Sequence, residues 1–362
     1  MSRYDLEDPD FERLLVDQPR YRLAQLKRAL YEELLEIDDL SVFPKVLRQR
    51  LGDSSELASA LVPIKEQVAD HGQTIKWLFE LQDGAAIETV LMHYRKHTTV
   101  CISSQAGCAM ACTFCATGHA GYTRQLSTGE IVEQVVRASR AARASGRRLD
   151  HIVFMGMGEP FANFKNVWRA VERFTSDMGL SARHITLSTV GIVPQINLLA
   201  DKALQVNLAV SLHAANNDLR SELVPINRRY PIEVLVRSLE DYVEKTHRRI
   251  SFEWALIAGV NDSARDVAEL AAIAYPLKAH VNLIPLNPIA PDEPSSMNGS
   301  SPEQVERFAD GLRDLGVNAT VRRTRGRSID AACGQLAGKT TVTLVRKPMQ
   351  EESKTANREP GF

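Results

Sequence analysis

Three cysteines stand close together in Gly107-Cys108-Ala109-Met110-Ala111-Cys112-Thr113-Phe114-Cys115-Ala116-Thr117-Gly118. A Cys-x3-Cys-x2-Cys spacing lets one loop turn three thiolates onto a single metal centre. Three thiolates leave one iron of a four-iron, four-sulfur cluster without a protein ligand, and a substrate can coordinate there. The same loop with His119, four residues after Cys115, also makes a Cys3His set for zinc. Spacing alone leaves the two metals nearly even. Cys101 and Cys333 are the other two of five cysteines. Free cysteine often packs as a small hydrophobe. Cys333, however, sits in Asp330-Ala331-Ala332-Cys333-Gly334-Gln335, where small neighbours leave a thiol accessible.

An odd, sparse set of cysteines argues against a disulfide scaffold and for a reducing compartment, so a cytoplasmic location is expected. The acidic start, Met1-Ser2-Arg3-Tyr4-Asp5, carries no apolar stretch of the signal-peptide kind. No apolar run approaches the roughly 18 residues that a membrane span needs, so no membrane association is expected. Forty-four Lys and Arg balance 45 Asp and Glu. That balance excludes a globally basic nucleic-acid coat but leaves room for local basic patches.

Chemistry of this kind needs a frame. Short apolar runs rich in β-branched residues start near Thr99, His151, His184, Val206, Ile250, Val281 and Thr320. Amphipathic stretches from Thr128 to Ala144, Asn166 to Met178, Pro231 to His247, Ser263 to Ala274 and Pro302 to Leu315 separate most of them. Ser127-Thr128-Gly129-Glu130 and Ser301-Pro302-Glu303 are good helix starts. Such alternation predicts an α/β fold with a parallel sheet, and six to seven repeats predict a barrel or partial barrel. Active sites of such folds sit at the C-terminal ends of the strands. Polar residues do follow the apolar runs: Ser103-Ser104-Gln105, Gly158-Glu159, Ser188-Thr189, Ser211-Leu212-His213 and Asn287. The cysteine loop follows the first of these strands, which favours iron–sulfur over zinc.

Upstream, Leu14, Leu15, Leu23, Leu26, Leu30 and Leu34 recur at helical spacing, broken by Pro19 and Pro44. Ile75 to Leu81 and Ile87 to Met92 read as strands joined by a turn at Asp83-Gly84. The expected organisation is a helical accessory domain over 1–72, a β-hairpin extension over 73–97, a catalytic core over 98–346 and a disordered polar tail over 347–362.

The cysteine loop, with an aromatic before its last cysteine, resembles the radical S-adenosylmethionine superfamily. More narrowly, Cys101-Ile102-Ser103-Ser104-Gln105, Met155-Gly156-Met157-Gly158-Glu159-Pro160 and Ile329-Asp330-Ala331-Ala332-Cys333-Gly334-Gln335-Leu336 resemble the adenine-C2 RNA methyltransferases. The resemblance spans roughly Lys76 to Leu344. It implies a partial (β/α)6-type barrel, one [4Fe-4S] cluster on Cys108, Cys112 and Cys115, and two S-adenosylmethionine molecules per turnover. Gly158, Glu159, Ser188, Ser211, Leu212, His213 and Asn287 would hold the cofactor. The implied substrates are adenosine 2503 of 23S ribosomal RNA and adenosine 37 of certain transfer RNAs. Cys333 would carry a methyl group, a radical formed on it would add to adenine C2, Glu88 would accept the C2 proton, and Cys101 would resolve the RNA adduct through a disulfide. A flavodoxin-like electron donor and a thiol reductant would complete the cycle, and a monomer is expected.

RNA binding would then rest on local charge. The basic clusters are His93/Arg95/Lys96/His97, Arg147/Arg148, His247/Arg248/Arg249 and Arg322/Arg323/Arg325/Arg327. The last gains weight from its place just before Cys333. Two other readings compete. One is methylation at adenine C8 by almost the same residues, although Trp77-Leu78-Phe79 and Ile87-Glu88-Thr89-Val90-Leu91-Met92 look more like the C2 group. The other is a non-enzymatic zinc-binding RNA module built on Cys108, Cys112, Cys115 and His119.

Overall fold

All seven apolar runs become strands in the computed structural model, which describes residues 2–287, 297–322, 325–331 and 334–336. Ahead of them β1 (Val62–Ala69), β2 (Thr74–Glu80) and β3 (Ala86–His93) pair antiparallel. β3 then pairs antiparallel with β4 (Thr98–Cys101), the first barrel strand. A two-stranded hairpin, β5 (Gln105–Gly107) and β6 (Tyr122–Gln125), follows. The barrel continues with β7 (His151–Phe154), β8 (Ile185–Thr189), β9 (Asn207–Ser211), β10 (Ser251–Leu256), β11 (His280–Pro285) and β12 (Asn318–Val321). Among the described residues these give one ten-stranded sheet in the order β1-β2-β3-β4-β7-β8-β9-β10-β11-β12, parallel from β4 onward.

Three helices precede the sheet: α1 (Asp8–Leu14), α2 (Tyr21–Arg28) and α3 (Lys45–Gly52). A single turn, α4 (Ala116–His119), ends the cysteine loop. Between successive barrel strands run α5 (Thr128–Ala144), α6 (Phe164–Ser176), α7 (Val193–Ala200), α8 (Asn217–Leu223) with α9 (Ile232–Thr246), α10 (Ala264–Ala274) and α11 (Pro302–Asp314). Among the described residues the sheet does not close from β12 to β1. Instead the chain after β12 crosses the gap: Gly326 N donates to Asp70 Oδ2 at 3.0 Å, and Lys76 Nζ donates to the Asp330 carbonyl at 3.1 Å.

The boundary of the helical part differs from the expectation. β1 lies inside the span expected to be helical, so the antiparallel extension has three strands rather than two and begins near residue 62. β1 is an edge strand exposed along most of its length. It therefore lacks the polar–apolar alternation by which a half-buried strand is recognised. The expected tail over 347–362 lies outside the described residues.

Helical capping explains how the N-terminal part is seated. Ser127 caps α5 and accepts from Glu130 N, while the Glu130 carboxylate accepts from Ser127 N at 2.9 Å. Asp5 of the N-terminal segment adds a second carboxylate at the positive end of the helix, accepting from Gly129 N at 2.6 Å and from Ser127 Oγ at 2.8 Å. Residue 129 must be glycine for this approach, because a Cβ there would lie 2.5 Å from Asp5 N. Farther along α5, the buried Glu133 accepts from Ser2 Oγ at 2.9 Å and Ala60 N at 3.0 Å. The accessory helices are thus fixed to the outer side of α5.

Candidate active site

The β5–β6 hairpin closes the base of the cysteine loop. Cys108 N donates to the Gly121 carbonyl at 2.8 Å, and a Cβ on Gly107, whose φ is +76°, would lie 2.0 Å from that same oxygen. At the far end Gly118 lets the loop fold back on itself, since a Cβ there would come within 3.1 Å of Cys112 N and O. The glycines that bracket the cysteines are therefore demanded by close backbone approach.

Cys108, Cys112 and Cys115 line one cavity at the C-terminal mouth of the barrel, together with Gly158, Glu159, Ser188, Ser211 and His213. Burial pushes the Cys108 thiol up to about 12 and raises Cys112 as well. Thiols held neutral in this way are poor nucleophiles; a metal centre is what would draw off their protons. His119 does not join them. Its Nε2 lies 2.8 Å from the Thr113 carbonyl, the ring is exposed, and it does not line the cavity. Among the described residues no three His, Cys, Asp or Glu side chains close around a single point as one ion requires. Ligands of a four-iron cluster grip separate irons, so three thiols spread along a cavity wall fit that group.

The Met155–Pro160 loop reaches the cavity by close packing. A Cβ on Gly156 would lie 2.6 Å from the Ile102 carbonyl, and one on Gly158, at φ +98°, would lie 2.5 Å from Gln105 Cβ. Glu159 is 3% exposed, and its two oxygens accept from Phe161 N and Val190 N, each at 2.9 Å. Burial outweighs these amides and pushes its carboxyl up to about 7. The carboxylate clips the end of β8 to the loop after β7 and retains lone pairs for a ligand ammonium.

His213 is buried and held neutral, its pKa lowered to about 3 by burial and by the Arg220 guanidinium. Ala255 N donates to its Nδ1 at 2.9 Å, which leaves Nε2 as the protonated nitrogen. Arg220 is wholly buried. It donates to the carbonyls of Val190 at 2.7 Å and Leu212 at 3.1 Å, tying together the ends of β8 and β9. Leu212 itself packs in the hydrophobic core and does not line the cavity. Asn287 is buried, and its neighbour Leu286 lines the wall in its place.

Glu88 and Cys101 occupy another part of the barrel. Cys101 pairs with Val90 on β3 and with Val153 on β7, and Glu88 lies two residues from Val90, so both project from the same face of the sheet. Neither lines the cysteine cavity. Glu88 forms a buried ion pair with Lys76. Cys333 lies outside the described residues. Its described neighbours pack on the cysteine loop: Ala116 N donates to the Gly334 carbonyl at 2.8 Å, Thr117 Oγ1 donates to the Leu336 carbonyl, and Gly334 and Leu336 line the cavity.

The expected basic grip before Cys333 is altered by what its described members do. Arg325 donates to Gln73 Oε1 and the His93 carbonyl, both at 3.0 Å, and lies 4.4 Å from the Tyr94 ring centroid. Arg322 turns toward Met155, with Nη1 3.6 Å from its sulfur. Both guanidiniums are engaged within the protein because the segment closes the gap in the barrel. Arg323 lies outside the described residues. Lys76, Arg220 and Glu253 were not singled out by the sequence: each is a single charge in an ordinary strand or helix pattern, and only burial marks it.

A family model described as the Radical SAM superfamily matches residues 102–271. A protein of Chloroflexus aurantiacus named a probable dual-specificity RNA methyltransferase RlmN is 48% identical over 341 residues, covering 90% of this chain and 89% of that one. A protein of the same name from Desulforamulus reducens is 44% identical, covering 92% of this chain and 94% of its own. The crystal structure of a radical SAM methyltransferase from Sphaerobacter thermophilus superimposes with a TM-score of 0.89 at 50% identity, covering 94% of this chain and all of that one.

Proposed function

This chain belongs to the RlmN-type dual-specificity RNA methyltransferases of the radical SAM superfamily, and from that premise we propose that it methylates C2 of adenosine in 23S ribosomal RNA and in transfer RNA. The zinc-module reading falls with the family assignment and with the turned-away His119. Among the described residues no helix is long and apolar enough to cross a membrane.

The observation that carries the reading is one cavity that gathers three thiols, a buried carboxylate, two serines and a neutral imidazole, with Gly334 and Leu336 from beside Cys333 on its wall. Cys108, Cys112 and Cys115 would hold the cluster, and Glu159, Ser188, Ser211 and His213 would hold S-adenosylmethionine. Bound there, cluster and cofactor supply one electron and a 5′-deoxyadenosyl radical, the agent that removes hydrogen from an unactivated methyl group. Adenine C2, between two ring nitrogens, is too electron-poor to displace a methyl from a sulfonium, so a route through the protein is needed.

Cys333 supplies that route. Its thiolate takes a methyl from one S-adenosylmethionine by displacement. After loss of one hydrogen atom, the sulfur-bound methylene adds to C2 and links protein to RNA. Loss of the C2 proton to Glu88, and of one electron to an external one-electron acceptor, restores the aromatic ring. Cys101 thiolate then attacks the Cys333 sulfur; the carbon–sulfur bond breaks, its electron pair stays on the methylene carbon, and protonation there leaves a methyl group. The resulting disulfide needs an external thiol reductant, and the cluster needs an external electron donor.

Cofactor carrying a CD3 group tests the sequence of bonds. Because one deuterium is lost before addition and one solvent proton is gained at release, the RNA methyl should be CHD2. Intact transfer of CD3 would overturn the mechanism.

A further inference from the structure

The barrel holds a second, lower chamber toward the N-terminal ends of its strands. Its volume is about 740 Å³, against about 160 Å³ for the cysteine cavity above. Successive inward residues of β10 run from one to the other: Ser251 lines the lower chamber, Ala255 the upper one, and Glu253 both. On β11, His280 and Asn282 line the lower chamber and Ile284 the upper. Among the described residues Glu253 and Met155 are common to both walls, so Glu253 stands at the boundary between the two chambers.

Glu253 is 4% exposed and only half satisfied. Asn282 Nδ2 donates to its Oε1 at 2.9 Å. Asn282 is fixed in turn, its Oδ1 accepting from Thr320 Oγ1 at 3.0 Å and lying 3.0 Å from His280 Nε2. The other carboxylate oxygen, Oε2, is buried and has no hydrogen-bond partner. Burial raises the pKa of the group, and the nearby Arg322 charge favours its ionised form. A held carboxylate with one idle oxygen on a shared wall is costly unless a ligand completes it.

Resting on the reading above that RNA adenosine is the substrate, we propose that the target nucleotide enters through the lower chamber and that Glu253 Oε2 accepts a hydrogen bond from its 6-amino group. Adenine offers a donor at that position, whereas guanine offers a carbonyl oxygen that a carboxylate repels. The chamber suits a nucleotide taken out of its stack. His97 stacks on Tyr94 with centroids 4.6 Å apart and planes at 21°, and His151 meets His97 edge-on at 5.1 Å. Tyr94, His97 and His151 thereby give the chamber an aromatic wall along which a base can lie. The exposed Arg249, also on the chamber wall, offers a cation to a phosphate. Arriving from below, the base meets Glu253 one layer before it meets the residues around the thiols.

The test uses the full-length holoenzyme and two RNA hairpins that differ at one loop position, adenosine in one and purine riboside, which lacks the amino group, in the other. Wild-type enzyme should bind the adenosine hairpin about tenfold more tightly, the scale of one hydrogen bond to a buried charge. Glu253→Ala should bind both equally, and Glu253→Gln, whose amide oxygen still accepts, should keep part of the difference. Affinity for S-adenosylmethionine, measured by equilibrium dialysis, should be unchanged in both variants. Equal binding of the two hairpins by wild-type enzyme would overturn the proposal, as would full discrimination by Glu253→Ala. Weakened cofactor binding in Glu253→Gln would also overturn it, by assigning the carboxylate to the cofactor. If Glu253→Ala does not fold, the wild-type and Glu253→Gln comparisons decide. Which carbon is methylated plays no part in these binding measurements, so failure here is separable from failure of the C2 assignment.

Discussion

Lys76 Nζ lies 3.1 Å from Glu88 Oε1 across neighbouring strands, with both side chains less than a tenth exposed. The same ammonium donates to the Asp330 carbonyl at 3.1 Å. One lysine therefore joins the proposed proton acceptor to the segment that leads into Cys333. Removing it strands a buried carboxylate, a loss of about 3–5 kcal/mol for pairs of this kind, whereas replacing both partners by apolar residues costs much less. Lys76→Met should lower the unfolding midpoint sharply, and Lys76→Met/Glu88→Leu should recover most of it. Additive losses in that cycle, followed by denaturant melts, would show that the two charges are not coupled.

Glu88→Gln separates addition from release. The variant should still cleave cofactor and still form the protein–RNA link, because neither step uses the carboxylate. Without an acceptor for the C2 proton, it should accumulate RNA bound to protein, seen as a slow-migrating band removed by ribonuclease. Normal product formation by Glu88→Gln would remove Glu88 from the chemistry.

Burial pushes the Glu159 carboxyl up to about 7, because it disfavours the charged form. If its anion receives the cofactor ammonium, binding must expel a proton from the site below pH 7. Affinity for S-adenosylmethionine should therefore rise as pH increases from 6 to 7, by up to about tenfold per unit, and level off above it. Glu159→Gln should bind weakly and flatten that dependence. An unchanged pH profile in Glu159→Gln would mean that the carboxylate only clips Phe161 and Val190 together.

Arg325 is held by Gln73, the His93 carbonyl and the Tyr94 ring, while Arg95 and Lys96 are exposed. Neutralising Arg95 and Lys96 together should lower the salt dependence of RNA binding, by roughly one unit of slope per lost phosphate contact. Arg325→Gln should change that slope less and should destabilise the fold. The opposite ranking in salt titrations would return Arg325 to the RNA surface.

The parallel strands were legible in the sequence because each is a short β-branched run between amphipathic stretches, and β7 starts at the expected His151. The cysteine loop was legible because its chemistry is local to eight residues. Other features lay hidden for physical reasons. β1 has little buried face, and the β5–β6 hairpin is short and carries its meaning in glycines packed against backbone. Arg220 and Glu253 depend on long-range burial, which leaves no local pattern in a helix or strand. Leu212, carried over with its neighbours Ser211 and His213, turns the other way because side chains alternate along the chain there.

The central claim is the carbon that receives the methyl group. Purified enzyme, reconstituted anaerobically with iron, sulfide and an electron donor, should be incubated with S-adenosylmethionine and RNA from cells lacking the gene, and the RNA digested to nucleosides for mass spectrometry against synthetic standards. The account predicts 2-methyladenosine, formed by wild-type enzyme and absent with Cys333→Ala. Finding 8-methyladenosine instead, or 2-methyladenosine undiminished in Cys333→Ala, would contradict it.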